Sequence, residues 1–340
     1  MIAAIRTTAL AALLAAVALA GAACTPTSGP LGTPATPAVS PAGSPAPSDE
    51  PAPSDEPASP SLTPVPSTAP TEAPSGSAAA SASPTNAPTP TPAPARTSIV
   101  RAYFILGSFT GNEGLVPVLR EMPGTRAVAT AALQALLAGP KGAEVEGSPA
   151  MYTAIPEGTE LLGVAIKNGV ATVDLSGEFA TGGGTYSVTA RLAQVVYTLT
   201  QFSTVDSVLF RVDGVTVTTF SSEGIILDGP VDRADSRDLL PAIFLDRPAW
   251  GASAGNPARI GGLANVFEAT FRVQVLNAKG TVIADQQVMA TCGTGCWGTF
   301  KQDVAYSVAK AQYGTIRVFE PSARDGSPIN VTEHRVWLTP

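Results

Sequence analysis

The fold of the first globular part of this 340-residue chain is decided by residues 186–220, YSVTARLAQVVYTLTQFSTVDSVLFRVDGVTVTTF. Its opening apolar side chains recur at the spacing of one helix face; they are Val188, Leu192, Val195, Val196, Leu199 and Phe202. This pattern predicts a helix that begins at Tyr186 or Ser187 and lies on a sheet. The alternating run that follows predicts a hairpin turning at Asp213-Gly214, a pair that suits the positive φ angles of a type I′ turn.

The residues before this stretch predict the rest of one domain. SIVRAYFIL at 98–106 is typical of a strand, and a polar loop is expected after it. A helix is predicted within 123–140, with Thr125 as its N-cap. Its inward face is expected to hold Val128, Ala132, Ala135 and Leu136, and Gly139-Pro140 should end it. A further hairpin is predicted at Asn168-Gly169. Together these elements predict a two-layer α/β or α+β domain at 98–222.

The pattern changes after a polar join at 221–238. Helical periodicity disappears, and short strands recur about every ten residues with turn signals between them, which is typical of a β-sandwich. In FRVQV, Phe271, Val273 and Val275 alternate with polar side chains. We therefore predict an all-β sandwich at 240–340.

The N-terminus, MIAAIRTTALAALLAAVALAGAAC, has the pattern of a secretory signal. Arg6 supplies the charge, and the apolar segment from Thr8 to Ala20 is too short for the roughly 20 residues of a membrane span. Small residues lead into Cys24, as in a bacterial lipoprotein signal at 1–23, although Gly21 stands where that pattern prefers Leu. We expect Cys24 to be lipidated and the protein to be an extracytoplasmic, membrane-anchored lipoprotein. Ordinary cleavage between Ala20 and Ala23 is the alternative.

Residues 24–97 are rich in Pro, Ala, Ser and Thr, and they include 20 of the 32 prolines and a tandem PAPSDE repeat. Such a composition buries too little apolar surface to offset chain entropy, so we predict a disordered tether. A spacer through the cell wall is the functional interpretation, and an unselected linker is the alternative.

TCGTGCWG at 291–298 has nearly the letters that surround a papain-type nucleophile. Only 44 residues follow Cys296, whereas a papain-type histidine lies some 130 residues downstream. Disulfides persist outside the cytoplasm, so a small disulfide between Cys292 and Cys296 is predicted. Free or metal-binding thiols are the alternatives.

The remaining candidates for chemistry are weak, and we predict no catalytic, cofactor or metal residues. Gly182-Gly183-Gly184 is expected to be a loop leading into a helix rather than an anion cradle, and His334 is expected to be a surface strand residue. Six carboxylates are expected to serve turns and caps; they are Asp174, Glu178, Asp206, Asp213, Glu320 and Asp325. The net charge of −7 argues against nucleic acid as a partner.

Three stretches of the first domain resemble the GerMN domain, named for bacterial sporulation and spore-germination proteins. They are LVPVLREMPGTRAVATAALQALLAGP, AIPEGTELLGVAIKNGVATVDLSGEF and GGGTYSVTARLAQVVYTLTQFSTVDSVLFRVDG. The second domain is similar to the immunoglobulin-like domain that accompanies GerMN, in GLANVFEATFRVQVL, GTGCWGTF and RVFEPSARDGSPINVTEHRV.

The resemblance implies a non-enzymatic interaction or assembly module of the bacterial cell envelope, with envelope proteins as partners and a role in sporulation or spore germination. The contact residues that we predict are Phe267, Glu268, Trp297, Glu320, Arg324 and Asp325. Core packing is an equal alternative for Trp297, and a turn is the alternative for RDGSP. A peptidoglycan or polysaccharide binder that uses Trp250, Trp297 or Trp337 is the second hypothesis, and a hydrolase is the third.

Overall fold

A computed structural model describes residues 96–107, 114–220 and 224–340, all within one compact unit, Thr85–Pro340. The predicted signal peptide, the lipidation site Cys24 and the tether up to residue 95 lie outside the described residues.

Among the described residues, three sheets and two α-helices form the first domain. The helices are α1 (Val128–Leu137) and α2 (Thr185–Leu199). The strands are β1 (Thr97–Leu106), β2 (Gly114–Pro123), β3 (Met151–Tyr152), β4 (Leu161–Lys167), β5 (Val170–Leu175), β6 (Ser207–Val212), β7 (Val215–Thr216), β8 (Thr219–Phe220) and β9 (Ile225–Ile226). The sheets have the orders β2-β1-β3, β4-β5-β6-β7 and β8-β9, and β5 and β6 are parallel strands connected through α2. The mixed α/β prediction is confirmed.

Both predicted hairpin turns are present. Asn168 and Gly169 have φ of 52° and 80°, and Asp213 and Gly214 have 49° and 81°, as a type I′ turn requires. The predicted stripe of α2 faces the core, since Val188, Val195 and Leu199 are fully buried. The helix begins at Thr185, one residue before the predicted range.

Two local predictions are wrong. The stretch after SIVRAYFIL is not simply a loop, because β2 pairs along the whole length of β1. Pro117 is tolerated there because β2 is the last strand of its sheet, and the backbone of Trp250 bonds its open edge. Thr125 is not the N-cap, because α1 begins only at Val128. The Thr125 hydroxyl instead accepts a hydrogen bond from Ala127 N–H at 3.0 Å.

The second domain is the predicted sandwich. Its strands are β10 (Ile243–Arg247), β11 (Ser253–Ala254), β12 (Ala258–Ala264), β13 (Thr270–Leu276), β14 (Val282–Met289), β15 (Gly298–Val304), β16 (Gln312–Pro321) and β17 (Pro328–Leu338). They form the sheets β10-β12-β15 and β11-β17-β16-β13-β14. Phe271, Val273 and Val275 are fully buried, and the Phe271 and Phe300 rings meet edge to face at 4.8 Å between the sheets.

A third apolar cluster joins the two domains. Tyr103 of β1 and Tyr197 of α2 pack against Phe244 of β10, with ring centroids 6.5 and 5.7 Å apart. All three side chains are almost completely buried. The α/β domain and the sandwich therefore share a core.

Candidate interaction surface

Phe267 stands at one end of the sandwich, in the loop 265–269, with 59% of its surface exposed. The neighbouring Glu268 and Ala269 have φ of 52° and 57°, a left-handed region that non-glycine residues rarely adopt. Strained backbone of this kind persists only where its surroundings enforce it, and it concentrates at functional sites. We call the loops 265–269 and 291–297 together the tip.

The disulfide loop enforces the shape of loop 265–269. Cys292 and Cys296 are joined, with their Cα atoms 5.9 Å apart. Thr294 N–H donates to the Val266 carbonyl at 2.9 Å, and the Thr294 hydroxyl accepts from Glu268 N–H at 3.2 Å. A side chain on Gly293 would collide with the backbone of Ala269. Two backbones thus meet where only glycine fits.

Loss of this disulfide should cost modest stability. A ring this small removes little entropy from the unfolded chain, so reduction or the Cys292→Ser/Cys296→Ser variant should lower the free energy of unfolding by about 2 kcal/mol. Urea unfolding with and without reductant measures the difference. A loss beyond about 4 kcal/mol would show that the loop supports the fold as well as the tip.

Of the other predicted contact residues, Glu320 joins the tip and two do not. The Glu320 carboxylate accepts from Phe267 N–H at 3.1 Å and from Asn330 Nδ2 at 2.8 Å. Arg324 and Asp325 lie in the exposed turn between β16 and β17, where Asp325 accepts from the Ser327 hydroxyl at 2.6 Å. That hydrogen bond lowers the pKa of Asp325. The turn interpretation of RDGSP is confirmed.

The three tryptophans have different surroundings. Trp297 is half-buried and packs against the cluster that joins the domains, which favours the core-packing alternative. Trp250 packs against the α/β core. Trp337 is 38% exposed, and its ring meets that of Tyr313 edge to face at 4.8 Å on the outer face of the larger sheet.

A buried charge cluster crosses the domain junction, and the sequence analysis missed it. Asp246 of β10 accepts from the Tyr103 hydroxyl at 2.6 Å and from Arg101 at 2.9 Å, and Arg233 lies 3.8 Å away. Burial alone would raise the pKa of Asp246, but Arg101 and Arg233 outweigh it and hold that pKa below its ordinary value. Burial, reinforced by Asp246, raises the pKa of Tyr103. The sequence shows the charges of Asp246, Arg101 and Arg233, but these residues are far apart along the chain and nothing in it indicates that they meet.

The prediction that His334 is a surface residue is wrong. His334 is 1% exposed, because from Thr332 to Leu338 the even-numbered residues of β17 face inward while Glu333 and Arg335 face outward. Its Nδ1 donates to the Pro248 carbonyl, 2.8 Å away, since a carbonyl oxygen only accepts. Burial lowers the pKa of His334 to about 4. The ring is therefore neutral at physiological pH.

The glycine run is held by a buried arginine. Arg191 of α2 is 2% exposed, and its guanidinium donates to the carbonyls of Phe179, Thr181 and Gly182 at 2.7 to 2.9 Å. These bonds fix the loop that leads into α2, as expected. Among the carboxylates, Asp174 accepts from Gly214 N–H at 2.9 Å in the predicted hairpin. Its role is that of a turn residue.

The described residues contain neither a metal-binding cluster nor a membrane-spanning helix. No three His, Cys, Asp or Glu side chains in the described ranges lie close enough to hold a metal ion. No helix among those residues is both long and apolar enough to cross a membrane.

The described residues thus define a mixed α/β domain that shares a core with a C-terminal β-sandwich. Residues 101–218 match the Germane family, described as sporulation and spore germination, and residues 242–327 match Gmad2, the immunoglobulin-like domain of bacterial spore germination. The chain therefore carries a GerMN-type domain followed by the immunoglobulin-like domain of bacterial spore germination. No curated protein sequence matches it.

Three solved structures are similar to parts of the chain. The first GerMN domain of the sporulation protein GerM from Bacillus subtilis is 24% identical over 41% of this chain and 100% of that one, with a TM-score of 0.34. The tandem GerMN domains of the same protein are 17% identical over 63% of this chain and 64% of that one, with a TM-score of 0.35. A candidate lipoprotein from Clostridium perfringens is 22% identical over 42% and 93%, with a TM-score of 0.29.

Proposed function

We propose that this protein is a non-enzymatic, lipid-anchored interaction module of the bacterial envelope that acts in sporulation or spore germination. Cys24 carries the anchor, and other envelope proteins contact the tip. The pairing of two domains from sporulation and germination families supports the process. The signal pattern before Cys24 supports the extracytoplasmic location.

The exposed Phe267 on its strained loop is the observation that carries the contact surface. An aromatic residue that is 59% exposed leaves most of its apolar surface in water, and a partner could bury it. The disulfide loop and Glu320 nevertheless hold its backbone in one conformation, so a partner would meet a preorganised anchor. Aromatic anchors of this kind dominate the binding energy of many protein interfaces.

Photocrosslinking in living cells tests this surface. With p-benzoylphenylalanine at position 267, we expect capture of an envelope protein, identified by mass spectrometry, that the same residue at Ile226 does not capture. Ile226 is a matched control because it is an exposed apolar side chain of the α/β domain. Phe267→Ser should abolish the complex while changing the free energy of unfolding by no more than about 0.5 kcal/mol. Identical products from both positions would contradict the proposal.

Binding to the cell wall is a second candidate function, favoured by the exposed pair Tyr313 and Trp337. The Arg335 guanidinium lies 3.9 Å from the Tyr313 ring centroid, so the patch offers both aromatic surface and positive charge. Purified peptidoglycan should co-sediment with the protein at low salt, and Trp337→Ala should reduce the bound fraction several-fold while Ile329→Ala does not. Absence of co-sedimentation for the unaltered protein would remove this candidate.

A further inference from the structure

The sheet β10-β12-β15 has an outer face that the α/β domain covers only in part. Phe244 and Leu263 lie under the cluster that joins the domains. The remainder of the face is open and forms the floor of a groove of about 1000 Å³. Basic side chains line it; they are Arg233, Arg237, Arg247, Arg259 and Lys301, and we call this feature the arginine groove.

The charge of the arginine groove is opposite to that of the chain. Five basic and two acidic side chains line it, in a chain whose net charge is −7. Asp246, one of the two acids, already pairs with Arg101 and Arg233. Within the part of the chain that the structure describes, Arg237, Arg247, Arg259 and Lys301 form no ion pair. Asp303, the second acid, stands opposite Arg259 where β12 pairs with β15, so the groove presents an excess of positive charge rather than unopposed cations.

The floor of the arginine groove has a gap between two of these cations. Gly261 of β12 pairs with Arg247 of β10 on one side and with Lys301 of β15 on the other. Adjacent strands lie about 4.8 Å apart, so the two cations start roughly 10 Å from each other with no side chain between them. An anionic group above Gly261 lies within reach of both.

The proposed protein-contact function and the shape of the groove narrow the anionic partner to a protein segment. Ile260 and Phe300 border the groove but are buried in the sandwich core, so its exposed floor is polar and is formed by Arg259 of β12 and by Thr299, Lys301 and Asp303 of β15. Guanidinium groups bind carboxylates through paired hydrogen bonds, so acidic side chains of a protein segment match these cations. A concave groove also fits an extended chain better than a flat membrane surface.

We propose that the arginine groove binds an extended acidic segment of a partner protein, with one carboxylate above Gly261 between Arg247 and Lys301. This inference rests on the proposed function as a protein-contact module and names the chemistry of a partner. Phe267 is not among the residues that line the groove.

Fluorescence anisotropy with the whole secreted chain tests it. The probes are a labelled peptide that alternates glutamate with valine and its glutamine-valine counterpart. We expect saturable binding of the glutamate peptide that weakens with salt, and at least tenfold weaker binding of the glutamine peptide. Arg247→Glu/Lys301→Glu should weaken binding of the glutamate peptide at least tenfold, a change that corresponds to about 1.4 kcal/mol of binding free energy.

The control is Lys279→Glu/Lys310→Glu, which makes the same change of net charge at two exposed lysines outside the groove. An equal loss of affinity for the glutamate peptide in both double variants, or equal binding of both peptides, would overturn the proposal. Polyphosphate that binds more tightly than the peptide, with the same dependence on Arg247 and Lys301, would overturn the peptide as ligand. Crosslinking through position 267 would be unaffected by these outcomes, so failure of the groove is distinguishable from failure of the proposed function.

Discussion

Asp246→Ala should lower the free energy of unfolding by about 3 to 5 kcal/mol, the cost of removing one partner from a buried ion pair. Arg101 would keep its charge at a site where its side chain is only 14% exposed, and the buried Tyr103 hydroxyl would lose its acceptor. Because this carboxylate ties β10 to β1, the loss should appear in both domains. Urea unfolding followed separately by tyrosine and tryptophan fluorescence measures it.

The matched control is Asp285→Ala. Asp285 also pairs with an arginine, Arg272 at 2.8 Å, but both side chains are about one-third exposed. Such pairs contribute at most about 1 kcal/mol, so this variant should unfold almost like the unaltered protein. If the two variants lost equal stability, the charge cluster would not be the link between the domains.

Acid should remove the contribution of Asp246 to folding stability over a defined pH range. The folded-state pKa of Asp246 is lower than its ordinary value, so its ionised form stabilises the fold above the unfolded pKa of about 3.9. That stability is lost as the pH falls below about 4. Asp246→Asn should flatten this part of the stability profile.

Mild acid should destabilise the sandwich through His334 at a higher pH. Its folded-state pKa is about 4, against about 6.5 unfolded, so the unfolded chain takes up a proton first as the pH falls. The stabilisation is complete above about pH 6.5, and roughly 3 kcal/mol should be lost between pH 6.5 and 4. This range lies above the one assigned to Asp246.

His334→Asn separates the two effects. Its amide nitrogen can take the place of Nδ1 as the donor to Pro248, but it does not titrate. The variant should be less stable at pH 8 because a smaller side chain fills the site, yet its stability should change little between pH 6.5 and 4. An unchanged slope in that range would assign the acid sensitivity to another group.

Local patterns sufficed where one stretch of chain determined the outcome. The two hairpin turns need positive φ at adjacent residues, and Asn168-Gly169 and Asp213-Gly214 supply it without help from the rest of the fold. The stripe of α2 and the alternation of FRVQV report a buried face directly, because period and face are linked by backbone geometry. Strand β2 was not predicted, because its two prolines indicate a loop. The structure shows that β1 pairs with one edge of β2 and the backbone of Trp250 with the other.

Polar neighbours do not make His334 a surface residue. Glu333 and Arg335 are polar, and in a strand this indicates that the residue between them faces inward. In that inward position the Nδ1–H of His334 donates a hydrogen bond to the Pro248 carbonyl, 86 residues earlier, a partner that the local sequence does not reveal.

The sequence by itself determined the order of the two domains and the sandwich, because these depend on periodicity and on short-range turn chemistry. It also determined the small disulfide ring, because Cys292 and Cys296 are only four positions apart. Only the tertiary structure decided which charged residues meet. Asp246 is joined to Arg101 across 145 positions, and Arg247, Gly261 and Lys301 form one row only through strand pairing. Contacts between distant residues are set by how sheets and helices pack, and that packing leaves no periodic trace in the sequence around any one of them.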